Sequence, residues 1–323
     1  GTTARPPLNL FDPDNSFVNV RQGSPGSSRI SGGRDYSVFA SNQVWFSDAW
    51  SVVTGLRLQR YEADYKTFSY GATSTTIASR SAESDLVNPK ASVIWQPDEM
   101  TTAYVSWARS ATPIGTSITS APNSINNDAQ SELDPDVNET FEAGLKATVF
   151  DNLLVQASAF QIDKNNVIET DGQGTITSSG DAQRVRGLEL ALNGTLSDNW
   201  TVDANYTYLD AEITDSTTAA NIGNTAQFVP ENAASFWTAY QIGNLALGGG
   251  VTWQDKLFLN AGNTSQIPSN ISLDAMISYE IGRVKVQLNG YNLTNELNYA
   301  QVFGNRVVPS SGATGVLTVS TRF

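Results

Sequence analysis

Cysteine and histidine are both absent from the 323 residues. Without cysteine there is no disulfide scaffold and no thiolate metal site, which suits an oxidising compartment where stray thiols are a hazard. Without histidine the usual general base and the usual metal ligand are missing. Ser–His–Asp, Cys–His and His-ligated zinc chemistry are therefore excluded within this chain. Charge is also scarce, at 16% of residues against an apolar share of 40%; soluble domains average about 25% charged. Even so, no apolar run approaches the roughly 20 residues that a membrane helix needs. If the chain sits in a membrane, it does so as strands, and only a closed barrel satisfies every strand amide in lipid. The net charge of −13 opposes binding to nucleic-acid phosphates.

The dominant pattern that remains is alternation with period two. Leu188, Leu190, Leu192, Gly194 and Leu196 share one parity, against Glu189, Ala191, Asn193 and Thr195. Similar runs cover Trp200 to Tyr208, Ile271 to Tyr279 and Leu317 to Phe323. A soluble sandwich would alternate too. Three features favour a transmembrane barrel. The polar face is mostly small and uncharged, as a wet lumen wall would be. Aromatics gather at strand ends (Trp45, Phe46, Trp50, Trp95, Trp107, Trp200, Trp237, Trp253), as in a membrane girdle. Connections alternate between tight Asp/Asn/Gly turns and long polar stretches, as they do on the two rims of outer-membrane barrels.

The pattern predicts about thirteen strands, at 36–47, 50–66, 87–96, 101–111, 138–150, 153–168, 184–196, 200–214, 231–242, 245–258, 270–281, 284–294 and 315–323. The long connections fall at 67–86, 113–137, 169–183, 215–230, 260–269 and 295–314, and Thr73-Ser74-Thr75-Thr76 is expected to be solvated loop. Strands of 10 to 15 residues exceed the usual soluble length of about 5–6. Bacterial barrels have even strand numbers, and the chain opens on Gly1 without a signal peptide. The expectation is a partial barrel whose front lies upstream. No second domain is predicted.

From Glu132 onward the sequence resembles TonB-dependent siderophore receptors, nearest the catecholate-type branch. The resemblance is carried by Glu132-Leu133-Asp134-Pro135-Asp136 with Glu139-Thr140-Phe141-Glu142-Ala143-Gly144-Leu145-Lys146, and by Ala159-Phe160-Gln161-Ile162-Asp163-Lys164-Asn165-Asn166. It continues in Arg184-Val185-Arg186-Gly187-Leu188-Glu189-Leu190, Tyr206-Thr207-Tyr208-Leu209-Asp210-Ala211-Glu212-Ile213 and Asn292-Leu293-Thr294-Asn295-Glu296-Leu297-Asn298-Tyr299. Upstream, Gly55-Leu56-Arg57 and Asn88-Pro89-Lys90-Ala91 are similar to the family's earlier strands. Thr294 stands where the family usually has Phe, and the usual Arg ahead of the last strand is missing from Ser311-Gly312-Ala313-Thr314-Gly315.

The resemblance implies an all-β antiparallel transmembrane β-barrel. Residues 1–323 would form the C-terminal thirteen or so strands of a 22-stranded barrel, with the plug domain and TonB box outside this chain. It implies a receptor in the outer membrane of a Gram-negative bacterium that imports a ferric siderophore. The siderophore is cargo; no resident cofactor, metal or catalytic residue is implied. Partners would be the TonB–ExbB–ExbD complex through the plug, the barrel-assembly machinery through the terminal Phe323, and outer-membrane lipid. Uptake of cobalamin, an oligosaccharide or another bulky nutrient stays open, as do a passive porin and an adhesive surface barrel.

An anionic aromatic iron chelate asks for guanidinium forks and flat rings. Candidates at the loop ends are Trp107, Arg109, Arg184, Arg186, Trp253, Tyr299 and Arg306. Arg184 and Arg186 share parity with Leu188, so a lipid-headgroup anchor or a bulge at Gly187 competes with ligand contact. The carboxylate pairs Asp134/Asp136 and Asp210/Glu212 suit solvated edges better than acid–base catalysis or a loop calcium site.

Overall fold

A computed structural model describes residues 27–70, 74–114, 116, 133–150, 152–170, 176–303 and 306–322; side chains are described for these except 27, 168–170, 176–180, 301–303 and 306. Thirteen strands form one antiparallel sheet in which each strand pairs with its neighbour in the chain. They are β1 (Ser27–Trp45), β2 (Trp50–Tyr70), β3 (Thr75–Trp95), β4 (Thr101–Thr112), β5 (Asp136–Val149), β6 (Leu153–Thr170), β7 (Ile176–Ser197), β8 (Trp200–Asp215), β9 (Asn232–Ile242), β10 (Leu245–Gln254), β13 (Asn270–Ile281), β14 (Val284–Tyr291) and β17 (Thr314–Thr321). Two small hairpins interrupt the meander: β11 (Leu257–Phe258) with β12 (Gln266–Ile267), and β15 (Tyr299–Phe303) with β16 (Arg306–Pro309). Among the described residues, β1 and β17 each have a partner on one side only.

The ladder register carries facing information across the whole sheet, because directly paired residues project from the same face. Val105, Ala143, Ala159, Leu188 and Tyr208 lie in one continuous row across β4–β8. Val251, Phe236 and Leu273 lie in another, across β8–β13. On this face every strand presents an apolar segment, and its residues are exposed: Leu188, Leu190, Phe236, Leu273, Leu317 and Val319 are 44% to 66% accessible. In water such a wall would be a severe liability. It is therefore the lipid-facing belt.

Two aromatic levels bound the belt. At the short-turn rim Trp50 pairs with Trp95, with ring centroids 6.2 Å apart, and Trp200 with Tyr240 at 6.4 Å. At the other rim Trp107 pairs with Phe141 at 6.5 Å, and Tyr36, Tyr208 and Trp253 join the same face. Trp200 and Tyr208 are eight residues apart on β8, about 26 Å along a strand rising ~3.3 Å per residue. A tilt of about 40° reduces that to about 20 Å between ring attachments, in keeping with an apolar band of about 25 Å. Above the upper aromatics the same face turns charged, with Arg60, Glu62, Asp85, Glu139, Asp163, Arg184, Asp210 and Glu212.

Two of the predicted girdle residues, Trp45 and Trp237, have the opposite parity. Trp45 pairs with Ser51 and Trp237 with Gly250, on the inner face. The Trp237 indole lies across Gly250, where an added Cβ would collide with the ring and with the Phe236 carbonyl. The inner face is otherwise small and polar. Asn193, Asp203, Asn205 and Ser235 form a cross-strand hydrogen-bond chain there, Asn205 Nδ2 donating to Asp203 at 3.0 Å and to Ser235 at 3.4 Å.

The thirteen main strands match the predicted set, and the short connections β1–β2, β3–β4, β5–β6, β7–β8, β9–β10 and β13–β14 all lie on one rim. Two predicted loops are instead strand. Residues 67–70 and 75–86 continue the β2–β3 ladder, with Phe68 opposite Ile77 and Tyr70 opposite Thr75. Residues 169–170 and 176–183 extend β6 and β7 in the same way. These segments are rich in Thr, Ser and Tyr, which suit strands as well as loops. The proposed bulge at Gly187 is absent: the register runs unbroken from Arg184 to Leu190. Gly187 instead leaves room for the Phe160 ring, which lies where its Cβ would be.

Candidate ligand-binding surface

Five of the seven predicted ligand residues stand on the lipid-facing side of the wall. Trp107 and Trp253 belong to the upper aromatic level. Arg109 lies opposite Glu139 and donates to the Val87 carbonyl at 2.5 Å. Arg184 Nε donates to Asp163 Oδ1 at 2.6 Å, and Arg186 Nε to Gln161 Oε1 at 3.0 Å. Gln161 Nε2 donates in turn to Asp163 Oδ2 at 2.6 Å, so these groups form one ladder above the belt. Burial alone would raise the Asp163 pKa; the donors from Gln161 and Arg184 outweigh it and hold the carboxyl below its ordinary range. Tyr299 packs against the small apolar cluster of Leu257, Leu259 and Ile267 inside the loops. Arg306 opens β16 opposite Phe303, and its side chain lies outside the described residues, as does Phe323.

The inner face of the tall β1–β3 wall brings together groups that the sequence reasoning passed over. On β2, Tyr61, Ala63 and Tyr65 point inward while Arg60, Glu62, Asp64 and Lys66 point outward. Tyr65 pairs with Arg80 across the β2–β3 ladder. Arg29 of β1 reaches over the same ring, its Cζ 4.5 Å from the Tyr65 centroid, and its Nε donates to Thr67 Oγ1 at 2.8 Å. Ile114, just after β4, folds back onto Ala63, Tyr65 and Ala82, and Tyr61 and Leu133 pack at the margin. Tyr65 is only 3% exposed. Two guanidinium groups and the Tyr61 phenol thus stand on the inner side above the membrane, with the Tyr65 ring buried beneath Arg29 and against Ile114. The missed signal is the unbroken parity from Leu58 to Phe68. Once 67–86 is taken as loop, the partner strand that supplies Arg80 disappears.

Further round the mouth, Asp136 begins β5 on the inner face, near Lys164 of β6. Burial holds its carboxyl above the usual range, against the opposing pull of Lys164 and a 3.3 Å hydrogen bond from Asn138. The remaining loops are held by asparagines. Asn298 both accepts from the Ile271 amide at 2.9 Å and donates to the Ile271 carbonyl, taking the place of a ladder partner. Asn292, at φ 47°, caps the Glu296 amide and reaches the Ser311 carbonyl. Asn263 exchanges two hydrogen bonds with Thr225, tying the β8–β9 loop to the β11–β12 hairpin. The motif from Asn292 to Tyr299 is therefore loop architecture.

Residues 2–293 match the family model described as TonB dependent receptor-like, beta-barrel. The chain belongs to this TonB-dependent receptor family. Members are outer-membrane transport receptors rather than enzymes. Over 303 residues the chain is 31% identical to an Acinetobacter baumannii protein described as a probable TonB-dependent siderophore receptor, PiuA, covering 89% of this chain and 40% of that protein. It is 24% identical to the catecholate siderophore receptor Fiu of Escherichia coli, covering 98% of this chain and 45% of the relative. The crystal structure of the A. baumannii siderophore receptor PiuA superposes with a TM-score of 0.80 at 29% identity, over 90% of this chain and 43% of that one. The closed form of E. coli Fiu superposes at 0.82 and 24% identity, over 98% and 48%, which supports the fold. The chain thus spans less than half the length of these receptors.

Proposed function

We propose that this chain is the greater part of the barrel wall of an outer-membrane receptor that imports ferric siderophores in a Gram-negative bacterium. The observation that carries the reading is the family membership together with the relative described as a siderophore receptor at 31% identity. The inner mouth supports it chemically. Arg29 and Arg80 suit an anionic chelate, and Tyr61 suits its rings, while the buried Tyr65 holds Arg29 in place. The ligand would meet Arg29, Tyr61 and Arg80 on the inner side of β1–β3, with Arg306 of the β15–β16 hairpin as a further candidate. The rest of the barrel and a plug would complete the path, and the TonB–ExbB–ExbD complex would supply energy through the plug. Phe323 would serve the barrel-assembly machinery.

The test is uptake of radiolabelled ferric siderophores by iron-starved cells that express the full-length receptor and no other. Accumulation that needs TonB is expected, and Arg80→Ala should weaken surface binding roughly tenfold, the worth of a charged hydrogen bond. Accumulation that persists without TonB would replace this reading with a passive porin. TonB-dependent uptake of cobalamin or an oligosaccharide, with no response to iron chelates, would keep the machine and change its cargo.

A further inference from the structure

The inner face of β1–β3 carries cations at two heights. The upper set, Arg29 and Arg80, stands level with Tyr65. Eight residues lower on β2 comes Arg57, followed by Gly55; both have the inward parity of Tyr65. At ~3.3 Å per residue, the step from Tyr65 to Arg57 is about 26 Å along the strand. A tilt of about 40° makes it about 20 Å in height. The lower level coincides with the upper aromatics, since Lys90 of β3 pairs with Gly55 on one side and with Ala108, next to Trp107, on the other.

Glycine at position 55 decides where the Lys90 side chain goes. Its stem lies flat over Gly55, where an added Cβ would be 2.6 Å from Lys90 Cε. The ammonium is thereby carried onto β2, beside the next inner position, Arg57. No acidic residue faces Lys90 across either ladder. Among the described residues, no carboxylate lies within 4.0 Å of its nitrogen and no acceptor is hydrogen-bonded to it. The acids on the adjoining wall are already engaged. Asp35 accepts from Gln59 Nε2 at 2.8 Å and lies 3.7 Å from Arg57 Nη2, and Glu142 accepts from the Tyr104 hydroxyl. Arg57 and Lys90 against Asp35 thus leave one positive charge over, and it resides on Lys90. Phe39, opposite Arg57 on β1, brings a ring to the same level. Further round the inner wall, acids occupy β7, β8 and β13 at Glu189, Asp203 and Asp274. An anion entering at the mouth is therefore drawn down the β1–β3 side.

We propose that Lys90, with Arg57 and Phe39, forms a second, lower site that takes over the anionic, ring-bearing iron chelate from Arg29 and Arg80. The proposal rests on the transport reading above. The Lys90 ammonium meets anionic oxygens of the chelate. Arg57 adds donors while it keeps Asp35, and Phe39 lies against a ring. Tyr61, four residues from both Arg57 and Tyr65 on the same face, stands between the two levels.

The experiment uses iron-starved cells whose single iron-chelate receptor is the full-length protein, with heat-modifiable gel mobility confirming a folded barrel in every variant. The probe is a radiolabelled iron(III) tris-catecholate. Surface binding is measured in cells without TonB, and the rate of uptake in cells with it. Lys90→Gln should leave surface binding at the wild-type level and slow uptake about tenfold, the loss of one charged hydrogen-bonding contact. Lys90→Arg keeps the charge and should restore uptake. Lys285→Gln removes a lumen cation opposite Glu280 on β14 and should change neither quantity. Arg80→Ala, at the upper level, should weaken surface binding instead. Wild-type uptake in Lys90→Gln would overturn the lower site and leave the transport reading intact. So would a loss of surface binding in Lys90→Gln matching that of Arg80→Ala, which would mean one site rather than two. Failure of Lys90→Arg to restore uptake would show that charge is not what Lys90 supplies, and would also overturn the site. A wild-type receptor that accumulated no iron from the chelate would remove the transport reading and this site with it.

Discussion

The two ends of the sheet gain height above the membrane by different means. Toward β1, the backbone ladder simply continues: β2 and β3 each run 21 residues, about twice what a membrane crossing needs. Above the belt their outer face is laced with ion pairs, Arg60 contacting Glu62, Glu83 and Asp85. Toward β17 the strands stop near the membrane edge. β14 and β17 are 8 residues each, and the space above is filled by loops that carry small hairpins. In the tall half, backbone groups satisfy one another and side chains are left to water. In the short half, backbone groups at the loop bases are satisfied by buried asparagine side chains.

The largest effect should come from what both halves share. Leu192 sits in the middle of the belt on β7, so Leu192→Arg should cost about 2–4 kcal/mol in reversible unfolding from bilayers, whereas Leu196→Arg near the short-turn rim should cost ~0–1 kcal/mol. Equal penalties at both depths would contradict the belt boundaries. Next comes a change confined to the short half. Asn298 is 8% exposed and serves both the amide and the carbonyl of Ile271. Asn298→Ala should destabilise by about 1–3 kcal/mol. Hydrogen exchange should speed up at Ile271 and its neighbours while β2 and β3 keep their protection; a uniform increase would mean that the halves are not separable.

A smaller effect belongs to the ladder at the middle of the sheet. Asp163 has its folded pKa depressed, so its contribution is present above the unfolded value of about 3.9. It is lost as pH falls through the lower, folded value. Because Asp163 and Arg184 are part-exposed, at 26% and 39%, breaking the pair should cost only about 0–1 kcal/mol. Lowering pH from 5 toward 3 should remove that difference between wild type and Asp163→Asn, while a gap that widened on acidification would reverse the assigned sign. Smallest of all is the response of the tall half to salt. Its ion pairs are exposed, so 1 M salt should leave global stability unchanged and raise only protease sensitivity above the belt on β2–β3.

Most of the wall was legible in the sequence because a pleated strand writes its facing into every second residue. Leu188, Leu190 and Leu192 declared a lipid face, and the register joins them to Ala159, Ala157 and Tyr208 in rows. Parity did not reveal how far a strand continues when both faces become polar, and so Ser79 to Asp85 looked like loop. It also did not reveal rank: Trp45 and Trp237 have the composition of a girdle but the parity of a lumen. The ligand candidates are cations and rings near loops, and face is weighed against position only for Arg184 and Arg186, whose shared parity with Leu188 already sets a lipid-headgroup anchor beside ligand contact. Arg184 and Arg186 carried the outward parity of Leu188 all along, whereas Tyr61 and Tyr65 carried the inward one. The hairpins β11–β12 and β15–β16 lie too near the length of a single turn for periodicity to register.

The rows that cross the sheet imply something about ancestry. Because every strand pairs with its neighbour in the chain, a hairpin is a removable module. Excising β5 and β6 would bring β4 against β7, which already run antiparallel, and Val105 and Leu188 already stand in the same row. The seam would close with apolar side still meeting apolar side. Girth is thus a countable property of this wall, free to grow or shrink two strands at a time by duplication or loss, with lipid and lumen never exchanging places.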